Sequence, residues 1–414
     1  MSELGRSAAL LCASIGRKRQ MTTAVLNESQ GTIAVPWTPK RRLLETLAGR
    51  LPDRVPVTPD FSNMIPCRLM GKPFWDIYLY QNPPRWLAYI ECVKRFGIDG
   101  FLDGLPVKLD SPTPTPYTER YIVHRDDERI ITRRSFVEGK TMQWEPLCSV
   151  YHRDNPPATG VPIEKIGLPA VPDKYEPVEG VREWPTGEAL LKLAKELMGD
   201  HGLIGVSVAS SLALASEEEI YSYYDQPERH EQWAAERVDA VNRRLDALLS
   251  WDTRPDFLCV GASGTLVFQT MRIFKQLAFP AVRHAIERAT NAGFPTHIHS
   301  CGPEAKLVRF MADQTPLSVI DPLEIPPMGD CDLNQLKKDV GDRITLKGNL
   351  HTTEVMLRGR PDDVIRESRK CIDDAAEGGR FILSTGDQCG RDTPDANIEA
   401  MIFAVNEYGK YSSS

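Results

Sequence analysis

The residues best suited to chemistry lie in two places: the run Thr296-His297-Ile298-His299-Ser300-Cys301-Gly302, and Cys389 far downstream. A histidine and a cysteine two apart on a β-strand project from one face, whereas the same spacing on a helix splays them. Imidazole and thiolate are zinc donors, and a catalytic zinc keeps one position open for a reactant. His299 and Cys301, with Cys389 brought alongside, therefore predict a zinc enzyme. Glu324, at the end of a neighbouring predicted strand, completes a His, Cys, Glu, Cys set suited to tetrahedral zinc. Plainer alternatives stay open, because buried cysteines and core histidines are common and Glu324 could be a rim carboxylate bonded to a loop. His297 shares the face of His299 one pleat deeper and reads as a core histidine, and Cys259, inside an apolar run, as a core thiol. Asp60, Asn349, His351 and Asp387 fall at predicted strand ends, where they could orient a reactant, relay a proton or cap backbone groups. Trp75, Tyr78 and Tyr80 could wall a methylated or aromatic ligand, or pack in the core.

Such a set needs a frame that delivers several strand ends to one rim. Thr38-Pro39 opens a helical stretch with an N-cap and a first-turn proline. Eight apolar runs then follow, at 55–59, 100–105, 203–209, 257–261, 295–300, 317–323, 344–349 and 381–384. Helical stretches separate the later ones, including a long one around 217–251, and this alternation implies parallel pairing. The predicted fold class is α/β, a (β/α)8 TIM barrel over 38–414, with an N-terminal extension at 1–37 and a β-hairpin insertion at about 117–147. The proline- and charge-rich stretch 151–185 is predicted to be a long surface excursion. On this assignment His299, Cys301, Glu324, Asn349 and Cys389 all open on the C-terminal rim, where barrels carry their chemistry.

Bulk properties exclude several classes. The formal charge of -7 over 414 residues argues against a nucleic-acid-binding surface. Nine irregularly spaced cysteines fit a reduced, cytoplasmic setting better than a disulfide framework. No run approaches the roughly 20 apolar residues of a membrane span. Neither a GxGxxG nor a GxxxxGK phosphate loop occurs.

Several longer motifs carry a family resemblance. They are Pro52-Asp53-Arg54-Val55-Pro56-Val57, Phe96-Gly97-Ile98-Asp99-Gly100, His299-Ser300-Cys301-Gly302, Glu324-Ile325-Pro326-Pro327-Met328-Gly329-Asp330, Gly348-Asn349-Leu350, and the run from Cys389-Gly390-Arg391-Asp392-Thr393-Pro394 to Ile398, with Met401 beyond. Over roughly 38–411 the chain resembles the uroporphyrinogen decarboxylase superfamily, and within it the zinc-containing, corrinoid-linked methyltransferase branch. The resemblance implies a (β/α)8 barrel and places zinc ligands at His299, Cys301, Cys389 and Glu324. It also implies methyl transfer between a corrinoid protein and either a small methylated substrate, such as a methoxylated aromatic, or a thiol. Glu324, Asn349 and Asp387 are the expected catalytic residues. No Asp-x-His-x-x-Gly corrinoid motif occurs in the sequence, so the corrinoid (cobalamin) is expected on a separate protein. The alternative is a cofactor-free decarboxylase of uroporphyrinogen type. Such enzymes carry an arginine-rich loop after the first strand, but here residues 60–68 offer Arg68 alone, too little to neutralise a substrate with many carboxylates.

Overall fold

Thr38 caps the first helix, Pro39–Leu47, accepting from the Arg41 N–H at 3.1 Å, with Pro39 in its first turn. This is the start that the Thr-Pro pair predicts. A computed structural model describes the protein over residues 36–61, 63–109, 116–214 and 216–411. The extension predicted at 1–37 lies, up to residue 35, outside the described residues.

From Trp37 onward, strand and helix alternate around a parallel sheet. Its strands are β1 (Gly100–Leu102), β7 (Gly202–Ser207), β8 (Phe257–Cys259), β9 (Thr296–His299), β10 (Val319–Asp321), β11 (Thr345–Leu350) and β12 (Phe381–Thr385), hydrogen-bonded in that order. The numbers between belong to the insertion: β2 (Glu119–Arg125), β3 (Arg129–Glu138), β4 (Thr141–His152), β5 (Ala158–Pro162) and β6 (Glu176–Pro177).

The extended segment 55–59 closes the ring. Leu383 donates to Pro56 O and Thr58 to Leu383 O, both at 2.9 Å, and Asp99 donates to Val57 O at 3.0 Å. Val57 thus bridges β12 on one side and the approach to β1 on the other, so all eight predicted runs take part in the barrel. The strands are buried on both faces, as barrel strands covered by helices must be. The covering helices are one-sided. Pro361–Ala375, for example, buries Val364, Ser368, Cys371, Ile372 and Ala375, the spacing of one helical face. The predicted long helix at 217–251 is two, Glu217–Asp225 and His230–Leu249, divided by a short turn at Pro227–Arg229. No helix among the described residues is long and apolar enough to cross a membrane.

The insertion is larger than a hairpin. Its antiparallel order is β5-β4-β3-β2-β6, so the stretch predicted as an excursion supplies two further strands. Both are edge strands, short and largely exposed. Edges tolerate the proline and polar residues that disguise pairing in the sequence. One face of this sheet packs Ile122, Ile130 and Tyr151 on Leu79, with Trp75, Tyr78 and Tyr80 alongside. These three aromatic residues therefore join the seam between insertion and barrel.

Candidate metal centre

β9 delivers His299 to the C-terminal rim, and the chain turns immediately to Cys301 and Gly302. Gly302 has a φ of 103°, and a Cβ there would lie 2.3 Å from Val267 Cγ2. The position therefore needs glycine on both counts. The turn aims the Gly302 N–H at Glu324 Oε2, 2.5 Å away. One backbone bond thus brings the end of β10 beside Cys301.

Two overlapping donor groups result. Cys301, Glu324 and Asp387 each offer a ligand atom within 4.8 Å of the other two, and so do Asp60, His299 and Asp387. Asp387 is the shared corner, with its Oδ1 at 3.8 Å from His299 Nε2. The other ring nitrogen, His299 Nδ1, lies 3.0 Å from Asp321 Oδ1. Asp321 Oδ1 is also 3.0 Å from His297 Nε2, and Asp321 Oδ2 is paired with the Lys347 ammonium.

The electrostatics suit a cation. Burial pushes the Glu324 carboxyl above its ordinary value, and the nearby Asp387 charge pushes it further. A thiol and two carboxylates this close repel one another once ionised, unless a positive ion sits among them. For His299, burial opposes the charged ring, yet Asp321 beside it holds the pKa well above the usual value. Asp321 itself is held well below its ordinary value, with Lys347, His297 and His299 outweighing burial. Sulfur, imidazole and carboxylate together are a zinc-type donor set.

The structure does not bring every expected residue to this point. Cys389 is fully buried and stands outside both donor groups. Burial pushes its thiol up to about 12, and Asp60 and Asp387 act on it, which puts it beside the cluster. Asn349 turns away from the rim. Its Nδ2 donates to Leu323 O at 3.0 Å, and its Oδ1 accepts from the Cys371 thiol at 3.6 Å. His351 caps the turn that follows β11, accepting from the Thr353 and Glu354 N–H groups. His297 is 1% exposed and packs edge-on against Phe101 and Phe257, a core histidine as expected.

Three buried charged residues at this end of the barrel escaped the sequence reading: Asp321, Lys347 and Glu304. Each left a signal. Val319-Ile320-Asp321 and Leu346-Lys347-Gly348 put ionisable groups inside apolar barrel strands, where a charge demands a partner. Glu304 donates nothing obvious to a motif, but it follows the Cys301 turn directly. Its Oε1 accepts the Leu266 N–H at 2.7 Å, and burial pushes its carboxyl up to about 7.

Comparison with known proteins adds the lineage. The family model for uroporphyrinogen decarboxylase (URO-D) matches residues 187–408, just over half of the chain, including β7 to β12 and, of the rim cluster, His299, Cys301, Glu324 and Asp387. The chain belongs to the uroporphyrinogen decarboxylase family. Among solved structures, this family member shares its fold with a methyltransferase from Methanosarcina mazei. The TM-score is 0.56 at 17% identity, covering 90% of this chain and 99% of that one. No curated protein matches it in sequence.

Proposed function

We propose that this protein is a zinc-dependent methyltransferase. In this role it moves a methyl group between a small methylated substrate, or a thiol, and a corrinoid carried by a separate protein. The observation that carries the proposal is the convergence of Cys301, Glu324, Asp387 and His299 on one patch of the barrel rim. His299, Cys301 and Glu324 would hold the zinc, their two donor groups being joined through the shared Asp387. Cys389, the second thiolate that the resemblance suggests, lies beside this set. Zinc, when bound, supplies Lewis acidity toward an ether oxygen or a thiol sulfur. The chain's own residues do the placing: the Gly302 N–H fixes Glu324, and the turn after β9 fixes Cys301.

The fate of Arg68 weighs against decarboxylation of a polycarboxylate. It donates to Thr393 O at 2.8 Å and pairs with Asp395, so it is tied to the start of the last helix, Asp395–Tyr408. The stretch 60–68 therefore offers no uncommitted guanidinium to such a substrate.

The test mixes zinc-loaded protein with a reduced corrinoid protein and a panel of methoxylated aromatics, methylamines and methyl thioethers. Absorbance then follows methylation of the corrinoid. Turnover with one class of donor is expected, lost in Cys301→Ser and retained in Cys389→Ser. Full activity after zinc is stripped, or in Cys301→Ser, would reject the proposal.

A further inference from the structure

The strand register creates a row of side chains that runs beyond the ligand set. Asp321 pairs directly with His299 across β10 and β9. On its other side, Ile320 pairs with Leu346, which sets Asp321 beside Lys347 of β11. Parallel neighbours in register point their side chains to the same face, so His299, Asp321 and Lys347 form a file across β9, β10 and β11. The Asp321 and Lys347 side chains are 2% and 6% exposed, so this is a buried ion pair in direct contact with a rim imidazole.

The chemistry of the file is directional. An ionised carboxylate only accepts hydrogen bonds, so the nitrogen of His299 that faces Asp321 must carry a proton. That nitrogen is Nδ1. Nε2 is then the nitrogen left to face a metal on the side of Asp387. Lys347 completes the arrangement. Its ammonium holds Oδ2 and so ties the Asp321 carboxylate back from the rim. His297 Nε2 shares Oδ1, so each oxygen of Asp321 is engaged by buried groups.

We propose that Asp321, braced by Lys347, is a positioning residue that locks the His299 ring so that Nε2 alone faces the metal. This rests on the zinc proposal above and assigns roles to two residues outside the ligand set. A pair that merely stabilised the core would leave metal affinity untouched when replaced by a neutral pair of similar volume. Removing both charges together avoids leaving one of them buried and unpaired.

The test has two arms on the full chain. In the first, zinc affinity is measured by chelator competition for wild type, Asp321→Asn and the double variant Asp321→Asn/Lys347→Met, with folding followed by circular dichroism. Affinity is expected to fall about 10- to 100-fold in both variants, the range seen when an outer partner of a ligating histidine is lost. Folded variants that keep wild-type affinity overturn the proposal. The second arm needs no variant that must fold. In zinc-loaded wild type, the 15N spectrum of the His299 ring should show the proton on Nδ1 and the metal-induced shift on Nε2. The reverse pattern overturns this inference while leaving a zinc site in place, whereas wild type that takes up no zinc ends both proposals.

Discussion

At the scale of single residues, the rim is a balance between burial and charge, and Glu304 is the clearest titratable case. Its carboxyl is 1% exposed, with Oε2 lacking a hydrogen-bond partner, and burial pushes it up to about 7 from an ordinary 4.5. The folded chain therefore keeps a proton that the unfolded chain releases. Stability falls as pH rises from about 4.5 to about 7, and this contribution is flat above that. Denaturant unfolding across that window should show a slope in wild type that Glu304→Gln removes, a difference of about 3 kcal/mol at most by linkage. Equal slopes in the two proteins would count against it. His299 was legible at the end of an apolar run, but Cys301 lies in the turn beyond β9 and not on the strand, so it is the turn, and not a shared strand face, that sets its place. Glu324 was legible because the end of a barrel strand is a known place for chemistry. Asp387 is expected from the sequence as a catalytic residue near a strand end and not as a metal donor. Its place at the shared corner depends on a backbone φ of 122°, which no side-chain pattern announces. Asn349 shows the same limit. Being near the end of a strand does not say which way a side chain turns, and here it serves Leu323 O and Cys371.

At the scale of elements, the site depends on how closely β8 and β9 approach. A Cβ on Gly261 would meet His299 N at 2.7 Å and Ile298 Cα at 2.9 Å, and these are backbone atoms that cannot swing aside. Gly261→Ala should therefore push the end of β9 outward. A loss of about 1–3 kcal/mol is expected from overpacking, together with weaker zinc retention, read by thermal unfolding and metal analysis of the same samples. Unchanged stability and zinc content would show that the strands have room to spare. The elements themselves followed from periodicity and punctuation, since apolar runs bounded by helical stretches leave few alternatives to parallel pairing. The edge strands β5 and β6 were missed because edge pairing is carried by backbone groups in exposed, proline-bearing sequence.

At the scale of the whole molecule, closure of the barrel hangs on a knot beneath its floor. Asp99, fully buried, accepts from Arg42 Nη1 at 2.5 Å, Arg54 Nη1 at 2.9 Å and the Val57 N–H at 2.8 Å. It thereby ties the first helix and the segment 55–59 to the entry of β1. Asp99→Ala strips the carboxylate from two partly or fully buried guanidinium groups, and a loss of about 3–5 kcal/mol is expected. Chemical denaturation measures it, and a loss under about 1 kcal/mol would mean that closure rests on strand pairing alone. The rim and this floor lie at opposite ends of the same strands, so the variant should retain zinc for as long as it stays folded. The central claim is the metal itself, and X-ray absorption at the zinc edge tests it most directly. Purified protein should hold close to one zinc per chain, in a shell of one sulfur with nitrogen and oxygen neighbours, and Cys301→Ser should lose that sulfur. A protein that retains no zinc, or binds it in a shell without sulfur, would contradict the assignment of His299, Cys301 and Glu324 as a metal centre.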